Sequence, residues 1–295
     1  MTSLSRRRFL LSSVAAPLVL AACGNGTTNQ PEANTDRNLS FLVPAFPDGF
    51  SQAATLVAGI EQRLPFVVRD QLDVMRDDAP ERLAVAVRSN GRMVQQFTLD
   101  AHSDGIITPY FPLRMTFSTP GQYEAALPDH PDVPPVPFLV ADRSSVAIPQ
   151  VGSQLPVVAT PTVADPQGVN PICTRALPCS LHRHDLAEVA TNQRPTVLLI
   201  ATPGFCQTDI CGPVVDLLLE VAGDRTDLDL IHAEVYMDPT VFATGAFPDL
   251  TPVVAALDLP YEPALFVLDG AGTVTARLDT TFDRSELAAA LELVS

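Results

Sequence analysis

The spacing of apolar residues divides the chain into two regions of different habit. From about Leu39 to Val140 the apolar residues come in short runs broken by turn residues. Ser40–Phe46, Ala54–Ala58, Leu64–Val68, Leu83–Val87 and Val94–Leu99 predict strands. Asn90-Gly91 falls between two such runs and signals a hairpin, because both central residues of a type I′ turn need positive φ. Met115–Phe117 and the run after Pro120-Gly121, as far as Leu127, add two more strands. A proline-rich stretch, Pro128–Pro137, then leads to a last strand at Phe138–Ala141. Short strands at this density, with no long helix, predict a β-sandwich over residues 39–142.

The C-terminal region reads differently. A short helix over Asp185–Asn192 is followed by the apolar strand Thr196–Ala201 and a helix over Gly212–Ala222. Next come a strand at Leu228–Tyr236 and a helix at Thr251–Leu257, whose Pro252 suits a first helical turn. The strand Ala264–Leu268 turns through Asp269-Gly270-Ala271-Gly272 into Thr273–Leu278, and Ser285–Leu293 closes as a helix with Asp283 as its cap. The order βαβα then ββα places a parallel half beside an antiparallel hairpin, with helices on both faces. Residues 157–295 therefore form an α/β domain, and Arg143–Pro156 is expected as a proline-stiffened linker.

The N-terminus reads as an address. Ser5-Arg6-Arg7-Arg8-Phe9-Leu10 is a twin-arginine export motif, and the apolar stretch Leu10–Ala22 is too short to span a bilayer comfortably. It ends in Leu20-Ala21-Ala22-Cys23, which resembles a bacterial lipobox with Cys23 as the lipidated residue. Residues 1–22 are thus expected as a signal peptide and 23–38 as a polar tether, leaving the mature protein anchored on the extracytoplasmic face of the cell membrane. The net charge of −16, with no lysine in the chain, argues against nucleic acid as a partner. With 28 prolines against 15 glycines, many connections should be extended and stiff.

Candidate chemistry sits at Cys206-Gln207-Thr208-Asp209-Ile210-Cys211-Gly212-Pro213, on a strand-to-helix turn where a helix N-terminus favours a thiolate. Here the chain resembles the thioredoxin superfamily, over roughly residues 151–295. The resemblance rests on the cysteines at that turn, on Gly212-Pro213 after the second cysteine, and on Glu262-Pro263 before a strand, where the family has a cis-proline. It implies a thiol–disulfide oxidoreductase in which Cys206 attacks and Cys211 resolves, with Pro263, Gly212 and Pro213 shaping the site that meets the substrate. Four residues separate these cysteines, where thioredoxins have two. A five-residue step along a helix rises about 7.5 Å, beyond the usual disulfide limit of about 7 Å. Cys206 must therefore lie in the loop ahead of the helix, or the first turn must unwind when the bond forms. The same spacing resembles that of bacterioferritin-comigratory-type peroxiredoxins, which implies thiol peroxidase activity as an alternative. That family's threonine lies three residues before its cysteine, whereas Thr202 lies four before Cys206, and Leu199 stands where the family has proline.

Cys173 and Cys179 lie in a proline-punctuated stretch, and in an oxidising compartment a structural disulfide between them is the default. It would contribute up to roughly 2–3 kcal/mol by loop-entropy arguments. His182, His184 and His232 are the candidates if a metal is bound, since Cys179-x-x-His182 with Cys206 and Cys211 would make a tetrahedral set. Copper chaperones of the thioredoxin fold use two cysteines and a distant histidine, and His232 lies too close in sequence to match them. The reading favours no metal and no cofactor, with His102 and His130 as isolated surface residues. Glu234 is a candidate buried carboxylate on a central strand, and Asp209 a helix cap.

The middle region, from Pro109-Tyr110-Phe111 through Phe117 to Gly121-Gln122-Tyr123, resembles extracytoplasmic immunoglobulin-like modules and is expected to act as a spacer or partner platform. The whole chain thus reads as a membrane-anchored redox lipoprotein with a protein thiol or disulfide client and a separate electron donor. The alternative from another class is a non-catalytic binding or metal-delivery lipoprotein.

Overall fold

Seven strands occupy residues 41–140 of the computed structural model: β1 Phe41–Pro44, β2 Glu61–Arg69, β3 Arg82–Ser89, β4 Arg92–Asp100, β5 Phe111–Thr116, β6 Gly121–Ala126 and β7 Val136–Val140. The structure describes residues 39–47, 54–205 and 211–294. The expected signal peptide, the tether, Cys23 and the stretch Cys206–Ile210 lie outside the described residues. The strands make two antiparallel sheets, ordered β1-β2-β5 and β4-β3-β6-β7. Alternate residues of both sheets, among them Leu64, Phe66, Val85, Val87, Leu113, Tyr123 and Phe138, enter one shared core. Asn90 and Gly91 both have positive φ (50° and 71°), as the β3–β4 hairpin requires. Ala54–Ala58 does not form the expected strand. Only Val57 bridges to Ala141, held by the Ala58 N–H to the Ala141 carbonyl and the Ala141 N–H to the Leu56 carbonyl.

The C-terminal half contains α1 Leu186–Val189, β8 Thr196–Ile200, α2 Cys211–Ala222, β9 Asp229–Ala233, α3 Pro252–Leu257, β10 Ala264–Leu268, β11 Val274–Asp279 and α4 Arg284–Glu292. Its sheet is ordered β11-β10-β8-β9, with β8 and β9 parallel and β10 antiparallel to both its neighbours. Every residue of β8, β9 and β10 is buried, since both faces are covered. Val197, Leu199, Leu265 and Val267 pack with α2 and α4. Leu198, Ile200, Phe266 and Leu268 pack with α1 and α3 on the other face. β9 is an edge strand and Glu234 lies just past its end, so the expected central-strand placement of Glu234 is corrected.

Residues 143–156, expected as a linker, are built into the contact between the halves. Ile148, Pro149 and Gln150 are buried. The Gln150 amide donates to the Ile148 and Thr55 carbonyls, and Arg277 donates to the Pro149 carbonyl at 3.1 Å. Gly152 and Ser153 pair with Val274 at the start of β11.

The start of α4 carries the other contact. Asp283 caps the helix by accepting from the Glu286 N–H at 2.9 Å. In a capping box the carboxylate of the third helical residue returns to the cap's N–H. Here the Tyr110 hydroxyl, from the β half, accepts from the Asp283 N–H at 2.9 Å. Glu286 is thereby freed to take the Arg63 guanidinium, Arg114 at 2.7 Å and the Tyr110 hydroxyl. Arg63 also donates to the carbonyls of Asp279 and Thr281. His102, expected as an isolated surface residue, instead places Nδ1 3.2 Å from the Asp283 carboxylate. His130 is exposed.

Burial alone would raise the Glu286 carboxyl, but the Arg63 charge and the hydrogen bonds outweigh it and hold the group down at about 2, against an ordinary 4.5. A depressed folded value stabilises the fold above 4.5 and is lost as pH falls toward 2. Acid titration followed by circular dichroism should therefore show stability falling across that window, and Glu286→Gln should flatten the fall. Arg63→Met should cost about 3–5 kcal/mol in urea unfolding, because it leaves a buried carboxylate short of its main partner. Adding Glu286→Leu to Arg63→Met should recover most of that loss.

Candidate functional site

The strand β8 runs out through Ala201 into the turn Thr202-Pro203-Gly204-Phe205, and α2 begins at Cys211. Thr202 is fully buried and fixes the turn from three directions. Its N–H donates to Glu262 Oε2 at 2.6 Å, its hydroxyl accepts from the Val235 N–H at 2.9 Å, and its carbonyl accepts from the Phe205 N–H. Thr202 is thus a framework residue, a role that its spacing from Cys206 did not reveal. The Gly204 N–H donates to Thr174 Oγ1 at 3.0 Å, and a Cβ at Gly204 would sit 2.6 Å from the Thr174 carbonyl oxygen. Glycine is required there because the Cys173–Cys179 loop lies directly on the turn.

Cys211 is fully buried, is the first residue of α2 and is disulfide-bonded. Cys173 and Cys179 are both free thiols. Gly212 and Pro213 follow in the first turn, where proline's missing N–H costs nothing. Across the sheet, Glu262-Pro263 is a cis peptide immediately before β10, as the sequence leads one to expect. Burial pushes the Glu262 carboxyl up to about 7, against the opposing effect of the Thr202 N–H.

The expected Cys173–Cys179 disulfide is not formed in this structure. The two sulfurs stand 3.8 Å apart, well beyond a bond of about 2 Å. They turn instead toward two buried imidazoles. Cys179 Sγ is 3.4 Å from His232 Nδ1, and His232 Nδ1 is 3.1 Å from His182 Nε2. Ligand atoms of Cys173, Cys179, His182 and His232 all lie within 4.8 Å of one another. The two histidines meet because the Leu181 carbonyl accepts from the His232 N–H at 3.0 Å, laying residue 181 along the open edge of β9. His184 faces solvent, away from this group. The hydrogen bond from the Cys179 thiol, with those of His182 and His232, drives the Cys173 thiol down against burial. Cys179 is pushed up by Cys173 and by burial. Burial pushes the His232 imidazole below its ordinary value. Glu234 does not join the group; it accepts from the Thr174 N–H at 2.6 Å and from its hydroxyl, and burial pushes it up to about 8.

A four-stranded sheet of this order, a cysteine opening the helix after its first strand and a cis-proline before the antiparallel hairpin together decide the fold. The C-terminal half has a thioredoxin-like fold. No protein-family model matches the chain, and no curated protein does. Among solved structures, the thioredoxin-like domain is similar to a secreted Mycobacterium tuberculosis disulfide oxidoreductase homologous to E. coli DsbE. That match has 16% identity and a TM-score of 0.33 and covers 47% of this chain and 96% of the other. MTB DsbF, in mixed oxidised and reduced forms, is 18% identical with a TM-score of 0.33, over 49% of this chain and all of the other. The C-terminal domain of a putative thiol-disulfide oxidoreductase from Bacteroides thetaiotaomicron is 10% identical, with a TM-score of 0.33, over 49% of this chain and 95% of the other. No helix among the described residues is long and apolar enough to cross a membrane.

Glu262 gives this framework a measurable signature. A carboxyl whose folded value is raised binds its proton more tightly folded than unfolded, so stability falls as pH rises from 4.5 toward 7. Thermal unfolding of Glu262→Gln between those limits should show a smaller downward slope than the parent protein.

Proposed function

We propose that the thioredoxin-like domain catalyses thiol–disulfide exchange through Cys206 and Cys211. The observation that carries this reading is the disulfide at Cys211, the first residue of the helix that follows the Thr202 turn, while Cys173 and Cys179 stay free. A sulfur at a helix N-terminus is the easier to hold as thiolate, because the unpaired N–H groups there favour negative charge. In this reading Cys206 is the attacking sulfur and Cys211, which opens α2, the resolving one. In the reducing direction, the Cys206 thiolate attacks a client disulfide and expels one client sulfur as a thiol after proton uptake. Cys211 then attacks the mixed disulfide, releasing the second client thiol and leaving Cys206–Cys211 oxidised for an external donor to reduce. Buried Cys211 is shielded from clients until that second step. Gly212 and Pro213 keep the first helical turn narrow, and the cis Pro263 presents the neighbouring backbone to the client. The partly protonated Glu262 carboxyl, tied to the turn through the Thr202 N–H, is placed to buffer proton movement near it.

The same reading includes export by the twin-arginine motif and lipid attachment at Cys23, so that exchange takes place outside the cytoplasmic membrane. The two-sheet β half serves as an immunoglobulin-like platform fixed to the redox domain.

Insulin reduction by the full chain tests the exchange reaction. Cys206→Ser should abolish turnover, and Cys211→Ser should accumulate a covalent mixed disulfide visible on non-reducing gels. Unchanged turnover in both variants removes the reading.

A further inference from the structure

The four side chains beneath the redox turn form a set that thiol exchange does not use. We propose that Cys173, Cys179, His182 and His232 bind one zinc ion in a closed, tetrahedral Cys2His2 site. The inference does not depend on Cys206 or Cys211.

Geometry is the first argument. With zinc–sulfur bonds of about 2.3 Å and zinc–nitrogen bonds of about 2.0–2.1 Å, a tetrahedron has edges of about 3.8 Å between sulfurs, about 3.6 Å between sulfur and nitrogen, and about 3.3 Å between nitrogens. The edges found here are 3.8 Å for Cys173–Cys179, 3.4 Å for Cys179–His232 and 3.1 Å for His232–His182. These three edges already stand at ligand separations, each within a few tenths of an ångström, and all four atoms lie within 4.8 Å of one another.

Charge is the second. All four residues are buried, and an isolated cation or thiolate there would be heavily penalised. Zinc binding releases a proton from each of the two thiols, so a doubly positive ion meets two thiolates and the site carries no net charge. Two of the surrounding bonds suit that state. The Cys179 N–H points at Cys173 Sγ at 3.4 Å, a donor that favours thiolate. His232 Nε2 lies 3.0 Å from the Ala201 carbonyl, which can only accept. The ring proton therefore sits on Nε2, leaving the Nδ1 lone pair aimed at the cluster, as the outer hydrogen bond of a metal-bound imidazole does. Four protein ligands leave no open position, so its role is to hold the fold rather than to perform chemistry. Its location gives that role a purpose: Thr174, one residue after Cys173, bonds the Gly204 N–H of the redox turn.

The test uses the full chain, purified without chelator and with its thiols kept reduced. Elemental analysis should give about one zinc per chain. Replacement by Co2+ should produce the intense visible bands of tetrahedral cobalt together with thiolate-to-cobalt charge transfer. His182→Cys should keep the metal and raise the charge-transfer absorbance by about half, three thiolates replacing two. The double variant Cys206→Ser/Cys211→Ser should leave the cobalt spectrum unchanged, which separates this site from the redox turn. An octahedral cobalt spectrum, zinc far below stoichiometry on protein whose near-ultraviolet dichroism shows it folded, or a Cys173–Cys179 disulfide in protein taken from its own host would overturn the proposal.

Discussion

Glu286 carries more of this architecture than its place on a short terminal helix suggests. Its carboxylate receives two arginines and a tyrosine, all from the β half, while its backbone N–H completes the cap on its own helix. Water is displaced from nearly all of these groups, and the arrangement stands because every buried donor meets an acceptor. The cap of α4 is assembled from both halves, since Tyr110 accepts the Asp283 N–H that Glu286 leaves unserved. The last helix of the thioredoxin-like domain therefore cannot be fully capped without the sheets that precede it. The two halves share a single compact unit among the described residues, where a tethered platform would have had its own complete surfaces.

Much of the strand and helix order could be read from the chain because the physics there is local. Buried strands such as Thr196–Ile200 and Ala264–Leu268 announce themselves by continuous apolar runs, and Asn90-Gly91 by its tolerance for positive φ. Pro263 was legible through its position before a strand. Long-range pairing was not. His102 looked isolated because its partner, Asp283, is 181 residues away. Residues 143–156 looked like a linker because proline and serine give no sign of the carbonyls that Arg277 and Gln150 would find. Glu234 looked central because alternation fixes a face of a strand and says nothing about the strand's rank in the sheet.

The two cysteine pairs show the same limit in chemistry. By spacing alone, Cys173 and Cys179 read as a short-loop disulfide, and His182 as a ligand to sulfurs at the other pair. What sorted them was β9, whose open edge accepts Leu181 and so delivers His182 to His232. A signal was present in the sequence: two cysteines and a histidine within ten residues, and a second histidine on an apolar strand. Only the backbone bond from the His232 N–H to the Leu181 carbonyl says that they meet. One loop is thereby given two neighbours, the imidazoles on one side and the Thr202–Phe205 turn on the other.

The clasp of Gly152 and Ser153 on Val274 has a consequence for how this protein behaves in company. β11 is the outermost strand of its sheet, and a bare outer strand offers unpaired N–H and C=O groups to any other extended chain. The clasp occupies one end of that strand, and Arg63 takes the Asp279 carbonyl at the other. On the opposite margin, Leu181 takes the His232 N–H of β9. A protein whose proposed work is to receive extended, partly unfolded clients must keep them from adding to its own sheet as an extra strand. Here the interdomain segment and the Leu181 segment occupy backbone groups on both margins of the sheet, which limits where a foreign strand can add.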